Sequence, residues 1–396
     1  MKKQDILTFI LAGGKGTRLY PLTKDRTKPA VPFAGRYRII DFVLSSCINS
    51  GLRHIYLLTQ TKSQSLDQHI RLGWNFLRHE LNEFIITVPA QQRISEKWYS
   101  GTADAVYQNL NLLEDHRPQY VLILSGDHIY NMDYRELLQQ HIAKNSDLTI
   151  CVLKIKKNEA HEFGVLAMDS EQRITQFIEK PSSPSVIPGA GDDCFINMGI
   201  YLFSTDVLAK ELSEDARKLT EHDFGKNIIP SMLERCKVDS FLFENSRFGN
   251  YWRDVGTIRS YYDANMDFLK QLEQNTVMQA WPIKSVSEQL PPSYFGKANG
   301  VQINNSTIGI GSYLDECLIE NSLIGRNVTV GKGSKIIESV IMNDCKIGNN
   351  CTIRESILDF KVTIPNNVNI GVNMEEDQKQ FTISNGITVL PKKYQL

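Results

Sequence analysis

With 396 residues, 41% hydrophobic and 22% charged, the chain has the size and composition of a globular protein of two or three domains. A formal net charge of -1 supplies no basic excess for counterion release, which argues against a nucleic-acid or anionic-membrane partner. Seven cysteines, an odd number with no C-x-x-C pair, fit reduced core thiols in a cytoplasmic protein better than a disulfide or zinc framework.

The first element is the apolar run Ile6–Leu11, a buried strand too short and too interrupted for a signal peptide or a membrane span. It runs into Ala12-Gly-Gly-Lys-Gly-Thr-Arg-Leu19, with Lys28-Pro29 beyond. Gly13, Gly14 and Gly16 let the backbone bend and bring N–H groups close to an anion, while Arg18 and Lys28 add two cations at the same strand end. The spacing matches neither a P-loop nor G-x-G-x-x-G, so a dinucleotide fold is not expected. Further strands are expected at His54–Thr59, Phe84–Val88 and Tyr120–Leu124, with a helix over Thr102–Leu113 begun by Thr102 and Asp104. Alternating strands and helices predict an α/β domain with a mostly parallel sheet and its site beyond the carboxyl ends of the strands. Both the glycine loop and Ser125-Gly-Asp-His128 would fall there. Asp127, just past a strand, suits a hard cation such as Mg²⁺ held against phosphate oxygens. A helix is expected over Thr257–Leu272, with Thr257 better placed than Asp254 to cap it.

Past residue 272 the pattern changes. A proline-containing linker is expected over 273–299, and from about 300 to 375 a six-residue period takes over. Ile324, Val330, Ile336 and Met342 keep one register, and Ile347–Ile353 and Leu358–Ile364–Ile370 resume it after one-residue shifts. Glycine follows the aliphatic residue at 309, 325, 331, 348 and 371, with asparagine frequent beside it. This resembles the hexapeptide repeat of left-handed parallel β-helices. Residues 376–396 lose the period and read as a capping tail.

The G-G-x-G-T-R-L plus K-P pattern resembles the sugar-nucleotidyltransferases. Further segments narrow the resemblance to bacterial glucose-1-phosphate adenylyltransferases: R-I-I-D-F (38–42), P-A-Q-Q-R (89–93), W-Y-S-G-T-A-D-A (98–105), S-G-D-H-I-Y (125–130), F-G-V (163–165), E-K-P (179–181), M-G-I-Y (198–201), H-D-F-G (222–225) and Y-W-R-D-V-G-T (251–257). The resemblance implies a Rossmann-like nucleotidyltransferase domain over 1–272, then the β-helix, and the reaction of ATP with glucose 1-phosphate to give ADP-glucose and pyrophosphate. It also implies an assembly of four chains, alone or with a related subunit.

By the same resemblance Arg18, Lys28 and Asp127 are catalytic, and Gly13, Gly14, Gly16 and Gln92 face the nucleotide. Tyr99, Gly164, Glu179, Lys180 and Asn197 are sugar-phosphate contacts, Asn197 standing where many relatives carry serine. Asp127 and Asp254 are the Mg²⁺ ligands. Arg18 and Lys28 suit the polyphosphate, Lys180 the sugar phosphate and Glu179 the sugar hydroxyls. His128 reads as a supporting residue, since an anionic phosphate nucleophile needs no base. Asp25 replaces the basic residue found in many relatives where anionic activators bind, so a weak activator response is expected. A non-catalytic regulatory subunit, or a pyrophosphorylase for another nucleoside triphosphate, is the alternative. Acyl transfer on the β-helix is excluded because all eight histidines lie at or before His222.

Overall fold

The computed structural model describes residues 5–91, 98–187, 191–244, 251–273, 281–296 and 300–396. The amino-terminal domain is built on a nine-stranded mixed sheet. Its parallel half sets Phe84–Pro89, His54–Thr59, Ile6–Leu11 and Tyr120–Ser125 side by side. The long strand Asp193–Ser204 runs antiparallel to Tyr120–Ser125 and carries the other half of the sheet. Leu7, Phe9, Ile10, Ile55, Leu57 and Val121–Leu124 are all buried, as continuous apolar runs covered on both faces should be.

Register decides where the chemistry lies. Leu11 pairs with Ser125 and with Leu58, so the glycine loop and Ser125-Gly-Asp127 leave the sheet at one level. Gly126 N donates to Leu11 O at 3.0 Å and Ala12 N to Leu58 O at 2.9 Å, closing that edge. A two-stranded ribbon then brings in a distant segment: Trp252–Asp254 pairs antiparallel with His128–Tyr130, with Asp254 opposite His128.

The expected helix Thr102–Leu113 is two helices, Thr102–Tyr107 and Asn111–His116. The apolar spacing is helical throughout, but Asn109 spends its side-chain amide on Ala105 O (2.8 Å) and the Tyr99 hydroxyl (3.0 Å). Such local side-chain bonds compete with the backbone ladder. Gly101, not Thr102, occupies the capping position, and the Thr102 hydroxyl donates to Asp223 instead (2.9 Å). The later helix spans Ile258–Glu273, and Thr257 does cap it: its Oγ1 accepts from Ser260 N at 3.1 Å.

The carboxyl-terminal domain is a left-handed parallel β-helix with three faces. One stacks Tyr294–Phe295, Tyr313–Leu314, Thr329–Val330, Lys346–Ile347 and Thr363–Ile364. Along it the partners Tyr313, Thr329, Lys346 and Thr363 advance by 16, 17 and 17 residues, short of three full hexapeptides. That shortfall produces the one-residue shifts in the sequence. The ladder starts at Tyr294, inside the stretch expected as linker. The third face stacks Thr307–Ile308, Leu323–Ile324, Val340–Ile341 and Ser356–Leu358, and Ile387–Leu390, in the stretch expected as tail, extends it by pairing with Ser356–Leu358.

The third face packs on the amino-terminal domain. Leu323, Val340, Ile357 and Val389 share a buried cluster with Phe33, Phe42, Tyr261 and Phe268. The Tyr262 hydroxyl donates across the junction to Glu338 O at 2.7 Å.

Candidate active site

At the carboxyl ends of the parallel strands lies a cleft of about 360 Å³. Gly13, Gly14 and Gly16 line it together with Lys28, Asp127, Tyr99, Thr102 and Asp223. Gly16 has φ +60° and its position faces Thr23 and Lys28 at 3.1–3.2 Å, so a side chain there would be strained and crowded. Gly14 is exposed with open space around it, leaving its backbone approachable from the cleft.

The charged centre is compact. Lys28 Nζ donates to Asp127 Oδ2 at 2.9 Å and to Asp254 Oδ1 at 2.7 Å. Burial alone would lower the Lys28 pKa, but the two carboxylates outweigh it and the ammonium is held above its ordinary value. For Asp127, burial favours the neutral acid, yet Lys28, His128 and the Ser125 hydroxyl that donates to it hold it well below the carboxylate range. Ligand atoms of Asp127, His128 and Asp254 lie within 4.8 Å of one another. Two carboxylates at this separation fit a hard divalent cation that keeps its remaining positions for water and phosphate. The His128 ring meets Trp252 edge-on at 5.0 Å, bracing the ribbon that carries Asp254.

Arg18 is exposed and pairs with Glu162 at 2.7 Å. A Cβ on Gly256 would lie 3.0 Å from Asp254 Oδ2 and 3.2 Å from an Arg18 nitrogen, which places the guanidinium at the rim of the same centre. Glu162 was not apparent from the sequence, where nothing links it to Arg18.

Glu179 and Asp223 both face the Cβ position of Gly225. The Glu179 carboxylate is cradled by two glycines: a Cβ would come within 2.8 Å of Oε2 at Gly164 and 2.6 Å at Gly225. Lys180, with φ +48°, turns back to pair with Glu179 at 3.2 Å and stays 57% exposed. Tyr99 lines the glycine-loop cleft itself. Asn197 sits at a strand irregularity, where Nδ2 donates to the Tyr201 hydroxyl (2.7 Å) and Oδ1 accepts from Gly199 N (2.9 Å). Gln92 lies outside the described residues. Asp223 and Thr102 join the site unpredicted, although both stand inside the quoted segments H-D-F-G and W-Y-S-G-T-A-D-A.

A glycine loop at a sheet-end cleft with a paired carboxylate centre is the arrangement of a nucleotidyltransferase. In agreement, residues 7–271 match the family Nucleotidyl transferase and residues 291–390 match the family "GlmU-like, C-terminal hexapeptide". Glucose-1-phosphate adenylyltransferase 2 of Vibrio cholerae is 46% identical over 99% of both chains. Glucose-1-phosphate adenylyltransferase of Methylococcus capsulatus is 45% identical over 96% of this chain and 91% of its own length. Glucose-1-phosphate adenylyltransferase 1 of Vibrio vulnificus (strain YJ016) is also 45% identical, over 98% of each. The chain belongs to the glucose-1-phosphate adenylyltransferases.

Proposed function

We propose that the protein converts ATP and glucose 1-phosphate to ADP-glucose and pyrophosphate, the activated sugar for α-glucan (glycogen) synthesis. The observation that carries the reading is Lys28, in the lining of the glycine-loop cleft, bridging Asp127 and Asp254. A phosphate oxygen of the sugar phosphate bonds to the α-phosphorus of ATP as the bond to the β-phosphate oxygen breaks, so no proton must be removed first. The residues therefore bind, align and balance charge.

N–H groups at Gly13, Gly14 and Gly16 face the polyphosphate, with Gln92 proposed beside the nucleotide. Lys28 and Arg18 take up the charge that develops on the departing pyrophosphate. Glu179, held between Gly164 and Gly225, accepts from sugar hydroxyls, and Lys180 takes the sugar phosphate, with Tyr99 and Asn197 completing that end. Asp127 and Asp254 are the residues that would hold Mg²⁺, which when bound would offset negative charge on the phosphates.

On this reading the amino-terminal domain is the catalytic unit, and the β-helix, which runs from Tyr294–Phe295 to the added strand Ile387–Leu390, serves assembly and regulation. The exposed first coil, with Gln302–Asn304 open along its whole length, supports assembly into a tetramer. Among the described residues no helix is long and apolar enough to cross a membrane. Seven free thiols support a reducing, cytoplasmic setting.

The test is pyrophosphate release from glucose 1-phosphate with ATP, UTP, dTTP, CTP and GTP in parallel, with and without Mg²⁺. ATP should be clearly preferred and turnover should require the metal. A preference for UTP or dTTP would refute the adenylyl assignment.

A further inference from the structure

The Thr23–Lys28 segment is tied to the glycine loop at two points. The Thr23 hydroxyl donates to Gly16 O at 2.8 Å and the Thr27 hydroxyl to Ala12 O at 3.1 Å. The segment ends on Lys28, whose ammonium bridges Asp127 and Asp254. It thus forms a bracket that sets both the loop and the lysine. Arg26, between the two threonines, points the other way. It is 5% exposed, and its Nη2 lies 2.5 Å from both carboxylate oxygens of Asp359, which is 1% exposed.

Asp359 belongs to the β-helix, directly after the strand Ser356–Leu358. It is itself fixed: its N donates to Leu390 O at 3.1 Å, and its Oδ1 accepts from Phe360 N at 2.6 Å. Burying two opposite charges carries a desolvation cost that an apolar pair of similar volume avoids, so stability alone does not account for this contact. What the charged pair adds is orientation: a carboxylate on a rigid solenoid holds the guanidinium, and with it the bracket, in one place.

We propose that Asp359 is a positioning residue for the reaction, clamping Arg26 so that the bracket aims Lys28 and shapes the glycine loop. The β-helix thereby contributes to turnover within its own chain. The inference rests on Lys28 serving the transfer site, and the experiment separates the two ideas.

In the full-length protein, Asp359→Asn, the double variant Arg26→Met with Asp359→Leu, and Lys28→Gln are compared by kcat, by KM for each substrate and by thermal melting. The clamp predicts that both Asp359 variants lose kcat by about 10- to 100-fold while KM for glucose 1-phosphate changes less than about threefold, because the sugar end is held by Glu179 and Lys180. The apolar pair should restore the melting temperature lost in Asp359→Asn without restoring kcat, which a merely structural role would not produce. A folded Asp359→Asn or double variant with kcat within about threefold of the parent overturns the proposal. If Lys28→Gln itself keeps full kcat, the reading of Lys28 fails and the clamp fails with it. If the Asp359 variants do not fold, hydrogen exchange on the parent decides. Magnesium ATP without sugar phosphate should slow exchange at residues 356–360 and 388–390, since coupling between sites is reciprocal. Unchanged exchange there overturns the proposal.

Discussion

Replacing Asp127 by Asn separates what this carboxylate does for the fold from what it does for the reaction. In the structure it accepts one ammonium hydrogen bond from Lys28, while Asp254 accepts the other at 2.7 Å. An amide at position 127 keeps the shape and a carbonyl oxygen for Lys28, so the bond stays charge-assisted through the ammonium but loses the attraction of the carboxylate, while Asp254 still balances the lysine. The net stability cost is about 1 kcal/mol, a melting shift of about 2–4 °C for a domain of this size. The cost to turnover is of another order. The centre loses one of the two carboxylates proposed to hold the divalent ion, and about 4 kcal/mol of lost transition-state stabilisation is about a 10³-fold fall in kcat. The assay is pyrophosphate release at saturating ATP and glucose 1-phosphate across a Mg²⁺ titration, run beside thermal melts. A variant that melts normally and retains more than about a tenth of the parental kcat would refute the reasoning.

Three further outcomes follow from the same geometry. Lys180→Ala should raise KM for glucose 1-phosphate by about 10- to 100-fold with a smaller change in kcat, since it removes ground-state phosphate binding; an effect confined to the ATP dependence would show that the residue serves the nucleotide. Buried His141, whose Nδ1 meets the Thr149 hydroxyl at 2.8 Å, has its pKa pushed down by burial from 6.5 to about 4. Above pH 6.5 folded and unfolded states are both neutral here; as pH falls towards 4 only the unfolded chain takes the proton, so stability declines over that window by on the order of 3 kcal/mol. Urea midpoints at pH 7 and pH 4.5 should therefore converge between the parent and His141→Gln, and parallel pH profiles would contradict the assignment. Asp25 is exposed while Arg26 is buried against Asp359, so fructose 1,6-bisphosphate should activate the protein little, and Asp25→Lys should increase any response. Many-fold activation of the unmodified chain would place the activator on other residues.

How much of this was legible depended on whether the cause was local. Ile6–Leu11 and His54–Thr59 were read to the residue because a strand covered on both faces is a nearly continuous apolar run. The six-residue period disclosed the β-helix because each short face contributes one stacked aliphatic side chain. The break after Tyr107 was missed because the apolar spacing runs straight through it, while its cause is the Asn109 side chain bonding to backbone and to Tyr99. Asp254 was marked by its motif, but its place beside Asp127 is set by the ribbon pairing Trp252–Asp254 with His128–Tyr130, which no local pattern encodes. Glu162 at Arg18 and Asp359 at Arg26 were invisible, since each is a lone acid whose partner is distant in sequence. The Asp359 contact exists only once the two domains have docked.

The most direct measurement is a crystal structure with Mn²⁺ and a non-reactive ATP analogue, read by anomalous scattering at the manganese edge. The account predicts a manganese peak coordinated by Asp127 and Asp254 and by phosphate oxygens. The Lys28 ammonium should have left at least one carboxylate for a phosphate oxygen, and the polyphosphate should lie along Gly13–Gly16. A peak away from both aspartates, with Lys28 still bridging them and the nucleotide bound outside the glycine-loop cleft, would contradict it.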